Sequence, residues 1–291
     1  MDSMFSGMGR LTSLNISNFD TSNVTNMEGM FYGCGSITSL DLSSFNTSKV
    51  TNMKAMFKYM NNLKSIDVSN FDTSNVTNMG GMFAAMGSLR SLDLSNFNTS
   101  NVEDMTDMFK GSSALETLNI SSFDTSKVVN MVRMFNAVSS LPSIDVSNFN
   151  TSNVIDMNSM FKDMSSLTNL NISNFDTSKV EDMYMMFAGL NGLTELDISN
   201  FDTANVSSMA GLFGNSHNLT TIYVGNNWNI SNLAGDDDRY DYNCGSRNMF
   251  SGLTSIVGGA GTTYDSSHTD KTYAHVDGGV SNPGYLTLKT N

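Results

Sequence analysis

Histidine is nearly absent: three in 291 residues, the first of them His217. The long stretch before it therefore has no imidazole for general-base catalysis, for a Ser–His or Cys–His nucleophile pair, or for a His-bearing zinc site. Cysteine is as scarce, with Cys34 and Cys244 alone. Basic residues are few, 15 Lys and Arg against 28 Asp and Glu, for a formal net charge of -13. Such a chain should repel nucleic acid and anionic membranes. No run is apolar enough to span a bilayer, and no signal peptide stands at the start.

What is present is a repeat. Phe19 recurs as Phe45, Phe71, Phe97, Phe123, Phe149, Phe175 and Phe201, every 26 residues without insertion. Phe31 recurs as Phe57, Phe83, Phe109, Phe135, Phe161, Phe187 and Phe213. A fixed period of roughly 20–50 residues denotes a solenoid, a propeller or an array. One unit is too small to bury its own apolar face, so the units must stack.

Within the unit two periods are visible. Leu14 and Ile16 alternate with Ser13, Asn15 and Ser17, the period of a strand. Val24, Met27 and Phe31 follow at spacings of three and four, the period of a helix. Between them Asp20-Thr21-Ser22 is a run of N-cap residue types, and Ser100 with Glu103 and Ser178 with Glu181 have the spacing of capping boxes. The expected coil is strand, turn, short helix, loop. Methionine, concentrated in the Met27 and Met30 columns, reads as core filler that adapts to irregular gaps; capture of a metal by a thioether ladder is the alternative.

The spacing L-x-x-L-x-L-x-x-F resembles the leucine-rich repeat, with Phe19 where that family often has Asn or Cys. The fuller phrase, residues 92–102 followed by Met108-Phe109, resembles the 26-residue repeat of bacterial surface proteins known as BspA-like or DUF285 repeats. The resemblance covers about three quarters of the chain. It implies an α/β solenoid, a leucine-rich-repeat-like right-handed coil with one short parallel strand and one short helix per repeat and a C-terminal cap. It implies a secreted or wall-attached bacterial protein linked to adhesion, and carries no catalytic residues. Methionine in place of leucine in the helical columns departs from ordinary leucine-rich repeats.

The expected division is a solenoid over 1–218 (a partial repeat 1–10, then eight full repeats over 11–218), followed by a degenerate ninth repeat and cap over 219–291. Met1, Met4 and Phe5 are in register with Met27, Met30 and Phe31, so the chain starts inside a repeat. That suggests a fragment whose missing front holds an export signal, with a natural cytosolic start as the alternative. Cys34 and Cys244 lie seven or eight coils apart, on the order of 35 Å at ~4.8 Å per coil. A disulfide needs Cα atoms within about 7 Å, so they are not expected to pair. The segment 236–244 reads as an inserted loop, 253–257 as a last strand, and 288–291 as the start of a linker. His268, Asp270, His275 and Asp277 match no zinc spacing. Gly258-Gly259-Ala260-Gly261 is not a phosphate loop, since no lysine or capped helix follows it.

The candidate binding residues form a ladder: Asn15, Asp41, Asp67, Asp93, Asn119, Asp145, Asn171 and Asp197, all expected on the concave strand face. Like charges ~5 Å apart in water repel by about 0.8 kcal/mol. A second Asx column, Asp20, Asn46, Asp72, Asn98, Asp124, Asn150, Asp176 and Asp202, is an amide in most coils where the first is acidic, or the reverse. Lys49, Lys127 and Lys179 offer further compensation. Either these columns are a solvated polar ladder, bonding neighbouring coils and capping helices, or the first is a surface for a sugar, a cationic peptide or calcium. No nucleophile–base pair or cofactor signature is visible, so an enzyme is not expected. The two functional readings are a surface-exposed recognition or adhesion module for a protein or glycan, and a passive stalk. The variable column Lys64, Arg90, Glu116 and Pro142 favours the first.

Overall fold

The computed structural model describes residues 1–233 and 245–289. Its organising feature is a file of phenylalanine rings. Phe5, Phe31, Phe57, Phe83, Phe109, Phe135, Phe161, Phe187, Phe213 and Phe250 stack in sequence, centroids 5.6–6.2 Å apart. These spacings are those of offset aromatic pairs. The other phenylalanine column leans against this file, as Phe45 does on Phe31 at 6.2 Å and Phe201 on Phe187 at 6.1 Å. Met27, Met30 and their repeats are buried beside the rings, with Val50 and Leu63 of the next coil. The repeat is thus a solenoid of stacked coils around one continuous apolar core.

The expected strand forms only in part. β1 (Ser91–Asp93) pairs in parallel with β2 (Thr117–Asn119), Leu92 opposite Leu118. β3 (Glu195–Ile198), β4 (Thr221–Val224) and β5 (Thr287–Leu288) form a second parallel sheet in that order. The Asx side chain limits the strand. Asn15 Oδ1 accepts the Ser17 N–H at 3.1 Å, and every repeat copies this turn, which takes an amide out of the ladder. The longest continuous ladder lies elsewhere: parallel bridges run from Asn26 through Asn52, Asn78, Asp104, Asn130, Asp156, Asp182 and Ser208 to Gly245.

The expected helix is absent, and no α-helix occurs among the described residues. In a helix every interior amide serves the carbonyl four residues back. Here the amides alternate. Those of Met30, Tyr32 and Cys34 close turns on Met27, Gly29 and Phe31. Those of Met27, Gly29, Phe31 and Gly33 donate sideways to the carbonyls of Asn52, Lys54, Met56 and Lys58 in the next coil. Two residues per coil have left-handed backbones: Gly29 and Gly33, then Ala55 and Tyr59, then Gly81 and Ala85, and so on to Asn248 and Gly252. A left-handed residue cannot continue a right-handed helix, so each turn ends and the next begins. Spacings of three and four thus arise from a chain of turns, and Ser100, placed in a capping box by sequence, instead donates its N–H to Asn98 Oδ1 at 3.1 Å.

Two polar columns join the coils. The buried Thr47 hydroxyl donates to the Asp72 carbonyl at 2.9 Å and accepts the Asp72 N–H at 2.8 Å, and the same pair recurs from Thr21 to Thr203. The Asn148 amide donates to the carbonyls of Ile120 at 3.0 Å and Phe123 at 2.7 Å; Asn70, Asn96, Asn174 and Asn200 act alike.

At the far end Tyr285 closes the ring file, edge-on to Phe250 at 5.1 Å and beside Tyr273 at 4.9 Å. Its hydroxyl accepts the Asp265 N–H at 2.9 Å and donates to the Asp265 carbonyl at 3.1 Å. The Trp228 indole N–H reaches the Ala274 carbonyl at 2.9 Å. The Asp277 carboxylate accepts from the N–H groups of Ala260, Thr262, Gly279 and Gly284 and from the Thr262 hydroxyl. Cys34 is buried, its thiol 3.1 Å from the Phe5 carbonyl, and burial pushes its pKa up. Cys244, the 236–244 insert and the last two residues lie outside the described residues.

Candidate functional site

The sequence-derived ladder is exposed along its length: Asn15, Asp41, Asp67, Asp93, Asn119, Asp145, Asn171 and Asp197 occupy one register position per coil. Where strands form, Asp93 lies opposite Asn119 and Asp197 opposite Tyr223. Each Oδ1 is committed within its own coil, accepting the N–H two residues on at 3.0–3.2 Å. The turn is thus made inside each coil, while Asp93 also takes a side-chain hydrogen bond from Asn119 of the next coil. The turn also explains the interchange of Asn and Asp, because it requires only a side-chain oxygen. The second Asx column does the same for Ser22, Ser48 and their repeats, so it makes turns and caps no helix. A third, from Asn26 to Asp182, turns again onto Glu28 through Tyr184.

These bonds hold the carboxylates charged. The backbone N–H and then the hydroxyl of Ser43, Ser69 and Ser95 lower the pKa of Asp41, Asp67 and Asp93. At Asp145 the Ser147 hydroxyl leads. At Asp197 burial works the other way, but Ser199 and the Lys289 ammonium, 3.2 Å away, prevail. Lys49, Lys127 and Lys179 also lower Asp20, Asp124 and Asp176, behind the serine bonds. Asp156 is the exception: burial first, then the Asp182 charge, raises its pKa.

Outside the ladder, the variable column places Arg90 against Glu116 as an ion pair. The opposite, turn-built face carries a pair of exposed tyrosines, Tyr32 and Tyr59, edge to face at 5.4 Å. Sequence reasoning missed this pair, although both break columns that elsewhere hold Lys, Ala, Gly, Ser, Asn or Asp. No group of three or more His, Cys, Asp or Glu that could hold a metal is found among the described residues. His268 instead contacts Asp265, whose pKa falls to about 2 mainly through Ser267.

These coils, with their periodic core and single file of rings, define a repeat solenoid. The chain belongs to the family described as Mycoplasma protein of unknown function, DUF285, whose sequence model matches residues 1–92, 60–144, 81–187 and 141–248. No curated protein matches the chain. Solved structures similar to it include a leucine-rich repeat protein from Bacteroides ovatus, 18% identical over 78% of this chain and 70% of that one, TM-score 0.35. Internalin C2 from Listeria monocytogenes is 19% identical over 73% and 76%, TM-score 0.30. A leucine-rich repeat protein of Leptospira interrogans is 11% identical over 81% and 60%, TM-score 0.30.

Proposed function

We propose that the chain is a recognition module, displayed at a bacterial cell surface, that binds a protein or a glycan along the side of its solenoid. One observation carries the reading. The uniform columns of Phe, Met and Thr are spent inside the stack, while the columns free to vary project outward at coil spacing, as at Lys64, Arg90, Glu116 and Pro142. Such a surface sets side chains at regular intervals along the stack. The ladder from Asn15 to Asp197 supplies carboxylates and amides to hydroxyl-rich or cationic ligands along one edge. Screening the folded chain on glycan, mucin and extracellular-matrix protein arrays tests the reading. Saturable binding weakened at least fivefold by Asp41→Asn with Asp67→Asn and Asp93→Asn supports the ladder. Binding that ignores these changes removes the ladder from the contact surface. Absence of binding on every array leaves a passive stalk.

A further inference from the structure

Among the described Phe, Tyr and Trp residues the exposed ones are Tyr32, at 37%, and Tyr59, at 41%. They touch each other. Tyr59 also has a left-handed backbone, φ 65°, at a position that other coils give to Gly, Ala, Asp or Asn. A bulky residue is costly there, and strain kept beside an exposed ring points to a use for the ring. The Lys58 ammonium lies over the Tyr59 ring, 5.4 Å from its centroid.

The next coil is bare at this place. Gly80-Gly81 and Ala84-Ala85 stand where the preceding coil has Lys54-Ala55 and Lys58-Tyr59 and the following one Thr106-Asp107 and Lys110-Gly111. The result is a notch of about 220 Å³, floored by Gly80 and Gly81 and walled by Lys54 and Lys58 on one side and Asp104, Thr106 and Asp107 on the other. It is smaller than a drug-sized pocket of about 300–1,000 Å³, and neither tyrosine lines it; Lys58, which lies over the Tyr59 ring, is the wall it shares with the pair. A Cβ placed on Gly81 would stand in ordinary contact with Lys58 Cδ, at 3.5 Å, so the lysine stem lies across the bare floor. Two carboxylates share the lining with two lysines, and one of them, Asp104, accepts from the Asn78 amide at 3.2 Å. Asp107 is already matched by Arg133 at 2.7 Å and Lys110 at 3.8 Å. Lys54 and Lys58 are in no ion pair among the described residues.

We propose that Tyr32, Tyr59, Lys58 and the Gly80–Gly81 notch form a binding site for a glycan that presents a carboxylated pyranose, of the uronic- or sialic-acid class. The ring's C–H face stacks on tyrosine, whose π-face is negative. The carboxylate takes a charge-assisted bond from Lys58 or Lys54, and hydroxyls reach the backbone of the bare coil. The site rests on the recognition reading above but on a different face from the acidic ladder, which would repel such a ligand.

The test is binding of the full chain to an array of uronic- and sialic-acid-terminated oligosaccharides beside their neutral counterparts. Tyr59→Gly removes the ring and relieves the left-handed backbone, so its thermal midpoint should equal or exceed the parent's. Its binding should weaken at least tenfold. Lys58→Gln should keep the ring contact and lose the preference for acidic over neutral glycans. Equal binding by Tyr59→Gly and the parent, or neutral sugars bound as well as acidic ones, overturns the site. Glycan binding lost only on changing Asp41, Asp67 and Asp93 also overturns it while upholding recognition by the ladder. If no glycan binds, the site is wrong, and protein arrays decide the broader reading alone.

Discussion

The Thr99 hydroxyl donates to the Asp124 carbonyl at 2.9 Å and accepts the Asp124 N–H at 2.8 Å, so one buried side chain satisfies both backbone groups of a residue in the next coil. Threonine suits the place because its hydroxyl does the work of a strand partner while its methyl stays in the core. Thr99→Val keeps the shape and removes both bonds, and should cost about 2–4 kcal/mol in urea unfolding. Thr99→Ser keeps the bonds and should cost about 1 kcal/mol for the lost methyl.

The left-handed positions give an opposite prediction. Ala85 and Ala137 have φ 55° and 57°. An L residue there costs about 1–2 kcal/mol, which outweighs glycine's extra chain entropy of roughly 0.5–1 kcal/mol. Ala85→Gly and Ala137→Gly should each raise stability by about 0.5–1 kcal/mol in the same assay. A Gly111→Ala change should lower it. Were the segment helical, every sign would reverse.

That reversal marks where the sequence was legible and where it was not. The columns of Phe19 and Phe31 announce the coil because apolar burial repeats with the stack. The helix reading failed because turns of three residues, each ended by a left-handed residue, place Val24, Met27 and Phe31 at the same spacings as a helix. Gly29, Gly33, Gly81, Gly111, Gly189 and Gly211 were the available signal, in two columns four apart. Asn15 and its repeats are exposed, but a composition-level view cannot tell an Asx turn within a coil from a bond between coils. The Tyr32–Tyr59 contact joins residues in different coils and emerges only once the stack is built.

Acid should open the C-terminal end. Burial opposes the charge of the Asp277 carboxylate, but five hydrogen-bond donors together outweigh it and hold the group well below the usual carboxylate range. Asp265, beside the Tyr285 hydroxyl, is lowered to about 2. A carboxylate with a depressed folded pKa stabilises above its unfolded value near 4, and that stability is lost as pH falls through the folded value. Amide exchange at Phe250 and Tyr285 should therefore accelerate, relative to intrinsic rates, between about pH 4 and 2. Asp277→Asn should show faster exchange already at neutral pH and a flatter acid dependence.

Asp156 should behave in reverse. Burial and Asp182 raise its pKa, so its charge opposes folding at neutral pH. Asp156→Asn keeps the oxygen that accepts the Asn158 N–H at 2.9 Å. It should raise stability at pH 7 by under about 1 kcal/mol. The gain should shrink as pH falls and the native carboxyl protonates, as thermal melts at successive pH values would show.

The claim beneath these predictions is that equal coils are interchangeable layers of one stack. Deleting Leu115 through Ser140 removes one layer and leaves Phe109 to stack on Phe161. X-ray scattering of this variant should show a folded particle shorter by about 4.8 Å, with a cooperative melt, whereas deleting only residues 115–127 should unfold the chain from the cut. Collapse of the whole-coil deletion to an unfolded scattering profile would contradict the stack.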